Sequence, residues 1–162
     1  MTEKEMYLQS WEREFQTTLK VLKAYPADKL DFKPHERSRS ARELAWTFVE
    51  ELAFIGMVVK GQLEMGGQKP KPPATMKEIL AAFESSQKEM AGKVKSLSEA
   101  DYNSMIKFPI GPKQMGDFRK ADVLWMIMMD QVHHRGQFSV YLRMAGGKVP
   151  SIYGPTADEP WM

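Results

Sequence analysis

Two polar residues one helical turn apart, Asp130 and His134, are the best candidates for chemistry in this chain. A carboxylate and an imidazole at positions i and i+4 lie on one face of a helix, where they can share a metal ion or hydrogen bond to each other. The apolar residues around them recur at helical spacing, so both polar side chains should point into the protein. These apolar residues are Val123, Ile127, Phe138 and Tyr141.

The elements that would position these residues are four long helices. The first three open with a capping box, in which serine or threonine is followed by glutamate three residues later. The boxes are Thr2 with Glu5, Ser40 with Glu43, and Thr75 with Glu78. They predict helices that begin near residues 2, 40 and 75, and an apolar periodic pattern predicts a fourth helix that begins near Arg119.

Proline and glycine residues predict where these helices end. We expect the first helix to end before Pro26, the second before Gly66-Gly67, and the last at Gly146-Gly147. Residues 96–117 contain several prolines and glycines and predict an irregular connection, with a short extended piece at residues 105–110. Long connections of this kind favour a bundle with crossover loops.

The second helix carries two polar residues on its inward face, Thr47 and Glu51. The inward polar residues predicted for the last helix are Asp130, His134 and Gln137. Sites in helical bundles are built from side chains on facing helices. We therefore expect Thr47 or Glu51 to lie near Asp130 and His134.

Residues 124–155 contain His-His-Arg-Gly-Gln, Tyr-Leu-Arg, Gly-Gly-Lys-Val-Pro and Ile-Tyr-Gly-Pro, and resemble the DinB/YfiT-like family. The resemblance extends over essentially the whole chain, residues 1–162, as one domain. It implies an all-α four-helix bundle with long crossover connections, and a divalent metal held by three histidines. By position those ligands fall on Thr47, Asp130 and His134, so only one of the three is a histidine here.

Two functions are compatible with this altered site. In one, a zinc, nickel or manganese ion is held by Asp130, His134 and Glu51 or Thr47, and activates a thiol or water. The family resemblance implies this function, because characterised relatives include thiol S-transferases and some hydrolases. In the other, the chain is a metal-free binding or stress-response protein. The sequence favours the second, because threonine is a poor zinc ligand and stable sites need about three good ligands. A cavity between Thr47 and His134 would favour the first, because catalysis needs an open coordination position.

The residues around the histidine pair also carry expectations. His133 is predicted to be packed or solvent-facing, and Arg135 to lie on the bundle exterior. Gly136 costs about 1 kcal/mol relative to alanine inside a helix, so it predicts close approach of another helix, the tail or a ligand. Three methionines of the same helix are predicted to fill the core: Met126, Met128 and Met129.

Composition sets wider limits. The 162 residues are 43% hydrophobic and include no cysteine, which excludes disulfides, thiolate zinc sites and a cysteine nucleophile. The net charge of +2 comes from interspersed acidic and basic residues, so no nucleic-acid partner is expected. No apolar run approaches the roughly 18 residues of a membrane span, so we expect a cytoplasmic protein without a membrane partner. The tryptophans and methionines, with the family resemblance, predict a homodimer and a site for a small-molecule ligand.

Overall fold

The computed structural model describes residues 1–63 and 70–162. Within these ranges the fold is all-α apart from one two-stranded sheet, as the resemblance implied. In chain order the elements are α1 (Glu3–Lys23), a 3-10 turn (Ala27–Lys29), α2 (Ala41–Lys60), α3 (Met76–Ser96), α4 (Glu99–Tyr102), β1 (Met105–Gly111), β2 (Gln114–Arg119) and α5 (Lys120–Met144).

All three predicted capping boxes are present at the starts of α1, α2 and α3. In each box the N-cap hydroxyl accepts a hydrogen bond from the backbone N–H three residues on, while the glutamate accepts one from the N-cap backbone. Helix α2 ends at Lys60, because Gly61 takes the left-handed conformation (φ 74°) that closes a helix. The predicted stop at Gly66-Gly67 lies outside the described residues.

The inner faces of the four long helices enclose one hydrophobic core. Helix α2 packs against α3 and α5, and α1 packs against α5 and α3. The four apolar residues predicted to face inward on α5 are all buried: Val123, Ile127, Phe138 and Tyr141.

The connection between α3 and α5 is more regular than predicted. It contains the short helix α4 and an antiparallel hairpin in which Met105 of β1 lies opposite Arg119 of β2. The extended piece expected at residues 105–110 is β1, whereas the second strand carries few residues typical of strands. Gly116 leaves room for two neighbouring side chains, because a Cβ there would lie 3.0 Å from the Phe118 ring and 3.1 Å from the Ile110 side chain.

Arg135 lies inside the protein, and its predicted exterior position is wrong. The residue is 1% exposed, and its Nη2 forms an ion pair with Oε2 of Glu14 on α1 at 2.7 Å. Its Nη1 donates to the Thr18 hydroxyl at 3.2 Å, and Nη2 donates to the Tyr153 hydroxyl. A buried guanidinium needs these partners because an unpaired charge in the interior is costly.

The face of α5 therefore differs from the prediction at several polar and apolar positions. The buried polar residues of α5 are Lys120, Gln131 and Arg135, whereas Asp130 and Gln137 are exposed. No other helix and no part of the tail in the described chain approaches Gly136, because a Cβ there would meet none of their atoms within 4 Å. Of the three methionines assigned to the core only Met128 is buried, while Met126 and Met129 are exposed.

The C-terminal tail packs along α1 and α5. Tyr153 donates to Glu14 at 2.6 Å, Lys20 pairs with Glu159 at 2.7 Å, and Arg143 pairs with Asp158 at 2.5 Å. In the described ranges, no helix combines the length and apolar character needed to cross a bilayer.

We predict that Glu14→Ala lowers the free energy of unfolding by about 3 kcal/mol, because it leaves the buried Arg135 charge unpaired. Urea denaturation followed by circular dichroism measures this loss. The control is Glu84→Ala, which removes an exposed ion pair with Lys23 (3.1 Å) and should cost about 1 kcal/mol or less. Equal losses in the two variants would contradict the prediction.

Candidate metal centre

Helices α2 and α5 bring three potential ligands together: Glu51, Asp130 and His134. One ligand atom from each of these residues lies within 4.8 Å of the others. The facing helices are held in register by Gln131, whose amide donates to the Phe48 carbonyl at 3.2 Å. The Phe48 ring also packs edge-on against the imidazole of His134. Of the two residues expected on the second helix, Glu51 is therefore the one whose side chain lies with Asp130 and His134.

The shortest contact in the cluster joins His134 and Glu51. Nδ1 of His134 lies 2.7 Å from Oε1 of Glu51, a hydrogen-bond distance that requires one proton between the two atoms. Oδ1 of Asp130 is 3.8 Å from the same nitrogen. The predicted inward position of Asp130 is wrong in part: its side chain is 56% exposed and lies at the rim, while His134 and Glu51 are largely buried.

Burial raises the pKa of Glu51 to about 7, because a carboxylate loses hydration inside the protein. The hydrogen bond from His134 opposes this pKa increase, and the nearby Asp130 carboxylate adds to it. The pKa of His134 is raised in turn, chiefly by its hydrogen bond to Glu51. The cluster therefore retains a proton near neutral pH that a metal ion would have to displace.

The donor set fits a divalent cation. Oε2 of Glu51 is buried and has no hydrogen-bond partner among the described residues. An unpaired buried carboxylate oxygen is unfavourable, and a cation would satisfy it. One imidazole and two carboxylates are ligand types used by zinc, nickel and manganese.

Thr47 lies on the same wall, but its hydroxyl is engaged elsewhere. It donates to the Glu43 carbonyl at 3.1 Å and accepts a hydrogen bond from Nη1 of Arg39 at 2.7 Å. Gln137, also predicted to face inward, instead lies 2.9 Å from Nε2 of the exposed His133. Among the predicted residues, Glu51 is thus the second-helix group that joins Asp130 and His134.

An open cleft of about 1180 Å³ adjoins the cluster. Both Thr47 and His134 line it, together with Trp46 and Trp125. The hairpin adds Phe108, which no sequence signal had indicated. The remaining lining residues are Arg39, Val49, Glu50, Glu51, Ala53, Phe54, Met57, Pro70, Ser86, Met126, Ile127, Met129, Asp130 and His133.

Comparisons with known proteins agree with the family resemblance of the sequence. The model of the DinB family matches residues 1–161. The uncharacterized protein YrdA of Bacillus subtilis (strain 168) is 24% identical over 153 residues, which cover 94% of this chain and 89% of YrdA. A DinB-like protein from Bacillus cereus ATCC 10987 has a similar structure, with a TM-score of 0.78, 23% identity, and coverage of 92% of this chain and 97% of that chain. The DinB-like protein YjoA from Bacillus subtilis gives a TM-score of 0.71, 16% identity, and coverage of 91% and 97%.

We predict that Glu51→Gln lowers the pKa of His134, because the amide removes both the negative charge and the accepting carboxylate. A pH titration of the imidazole nitrogens by NMR measures the change. Glu84→Gln, on the exposed surface of α3, should leave the His134 titration unchanged. An unchanged His134 pKa in Glu51→Gln would show that the contact between the two residues does not persist in solution.

Proposed function

The chain belongs to the DinB family, and we propose that it binds a divalent metal at Glu51, Asp130 and His134 and acts with it on a small molecule in the adjacent cleft. The observation that carries this proposal is the convergence of one imidazole and two carboxylates on the wall of an open cavity. That cavity was the feature expected to favour the metal-dependent function over the metal-free one. Three protein ligands leave coordination positions for a substrate or water.

Each side chain has a separate role in this proposal. A bound zinc, nickel or manganese ion would supply Lewis acidity, which makes a water or thiol nucleophilic at neutral pH. Glu51 and His134 hold the site from the two facing helices, and Asp130 completes it from the rim. His133 lines the cleft and accepts a hydrogen bond at Nε2 from Gln137, so it is the candidate proton carrier. The aromatic walls reduce the access of water to bound substrate.

A second candidate function is a metal-free binding protein, of the stress-response type that the sequence favoured. The observation in its favour is that His134 and Glu51 already satisfy each other by a hydrogen bond. Thr47, at the position of a family ligand, is engaged with Arg39. In this case the cleft alone carries the function, and metal binding distinguishes the two candidates.

We further propose that the chain forms a homodimer through the outer face of α5. Two exposed apolar side chains, Val140 and Met144, lie four residues apart on this face, a spacing found in helix pairs. Gly136 lies one turn before Val140 with open space above it, so a second copy of the helix could approach closely there. This arrangement accounts for a helix-interior glycine whose Cβ position meets no atom of the other elements in the described chain.

We predict that calorimetric titration of tag-free, chelator-treated protein with Mn²⁺ or Zn²⁺ detects one site per chain. Glu51→Ala, Asp130→Ala and His134→Ala should each weaken binding by about 100-fold or more, because loss of a ligand should exceed the 10–100-fold effect of losing a supporting group. His133→Ala is the matched control and should bind like the wild type. Absence of binding by the wild type would exclude the metal-dependent function and favour the metal-free candidate.

We predict that Val140→Glu converts a dimer into a monomer in sedimentation velocity at micromolar concentration, because the substitution buries a charge in the proposed interface. Ile110→Glu in the hairpin is the matched control, since Ile110 and Val140 are 58% and 55% exposed. A monomeric wild type, or an unchanged dimer in Val140→Glu, would contradict this interface.

A further inference from the structure

Arg39 is a positioned cation at the end of the cleft that holds the proposed metal ligands. It lies immediately before the N-cap of α2, and its carbonyl accepts a hydrogen bond from the Tyr141 hydroxyl at 3.0 Å. Its Nη1 donates to the Thr47 hydroxyl at 2.7 Å. The backbone is thus tied to α5 and the guanidinium to α2. These two contacts direct the charged group to the cleft wall.

Arg39 forms no ion pair within the described part of the chain. Arg42, three residues away, pairs with Asp31 at 2.7 Å, and Arg135 pairs with Glu14. No carboxylate in residues 1–63 or 70–162 lies within ion-pair distance of Arg39. A guanidinium has five N–H donors, and Thr47 uses one of them. The remaining donors are available to a ligand.

The other walls of the cleft are mainly apolar and include four aromatic residues. Trp46, Phe54, Phe108 and Trp125 line it, and the rings of Phe54 and Phe108 pack edge to face with centroids 6.2 Å apart. The indole Nε1 of Trp46 is buried and has no acceptor among the described residues. The cleft volume of about 1180 Å³ slightly exceeds the volumes of roughly 300–1,000 Å³ that are typical of cavities for drug-sized ligands.

We propose that the ligand of this cleft is an amphipathic organic anion, with an apolar body against the aromatic walls and a carboxylate or similar head group on Arg39. An uncharged ligand would remove water from the guanidinium without replacing its hydrogen bonds, which is unfavourable. An anionic head group restores them as charge-assisted, bidentate hydrogen bonds. The proposal deepens the proposed function, because it concerns the ligand of the same cleft.

A pair of fluorescent probes isolates the contribution of the negative charge. The anionic probe 1-anilinonaphthalene-8-sulfonate and the neutral probe N-phenyl-1-naphthylamine share the same aromatic body and differ in the sulfonate. Both are titrated into full-length protein in the presence of a chelator. We expect the wild type to bind the anionic probe more tightly than the neutral one. Equal affinities, or no binding of either probe, would overturn the proposal.

Substitution of Arg39 tests the assignment of the charge. Arg39→Gln should weaken the anionic probe by about tenfold, the low end expected for a hydrogen bond to a charged group, and leave the neutral probe unchanged. Arg39→Lys should restore part of the loss because it keeps the charge. Arg42→Gln, which removes a neighbouring arginine already paired with Asp31, is the matched control and should bind both probes normally. An equal loss of both probes in Arg39→Gln would also overturn the proposal.

Substitution of exposed methionines tests the location of the probe. Met126→Gln with Met129→Gln alters the cleft wall and should weaken both probes. Met105→Gln with Met115→Gln alters two similarly exposed methionines of the hairpin outside the cleft and should weaken neither. The reverse result would place the probe elsewhere and overturn the proposal. Because no free metal is present, these outcomes are independent of the metal titration, which tests the metal site separately.

Discussion

The burial of two successive basic residues on α5 is the constraint on which the rest of the structure depends. His134 and Arg135 point to different neighbouring helices, and each finds a carboxylate there: Glu51 on α2 at 2.7 Å and Glu14 on α1 at 2.7 Å. A buried basic group without a partner is costly, so the two pairs together determine how α5 is rotated between its neighbours. That rotation brings Asp130 to the rim of the cleft rather than into the core.

The site and the cleft follow from this rotation. With Asp130 at the rim, the three candidate ligands lie at the boundary between a buried pair and an open cavity. The buried part supplies the raised pKa of Glu51, and the open part leaves room for a ligand. The hairpin extends the apolar wall by Phe108, which packs against Phe54 of α2. A purely helical connection at this point would leave that side of the cleft without its aromatic lining.

The position of Thr47 connects the proposed metal and ligand sites. The resemblance to the family implies a histidine ligand there, whereas this chain has a threonine whose hydroxyl accepts a hydrogen bond from Arg39. Threonine at position 47 thus lacks the nitrogen ligand that a histidine would supply, and its hydroxyl orients the Arg39 guanidinium toward the same cleft. Glu51, one helical turn further along α2, supplies a carboxylate in its place. We interpret the site as one that differs from the three-histidine site implied by the family resemblance, both in its metal ligands and in the positive charge that Arg39 presents to a bound molecule.

The sequence by itself determined the features that depend only on residues close to one another along the chain. The capping boxes join residues three positions apart, and the apolar spacing of α5 identified its buried side chains. Only the tertiary structure decided that Arg135 is buried, that Asp130 is exposed, and that a cleft lies beside His134. Successive helical residues differ by about 100° in direction. Where the apolar face of a helix is wide, the sequence pattern therefore does not determine which of two adjacent polar residues points inward. The inward positions of His134 and Arg135 depend on Glu51 and Glu14, which are 83 and 121 residues away in the chain. Where these glutamates lie depends on how the helices pack.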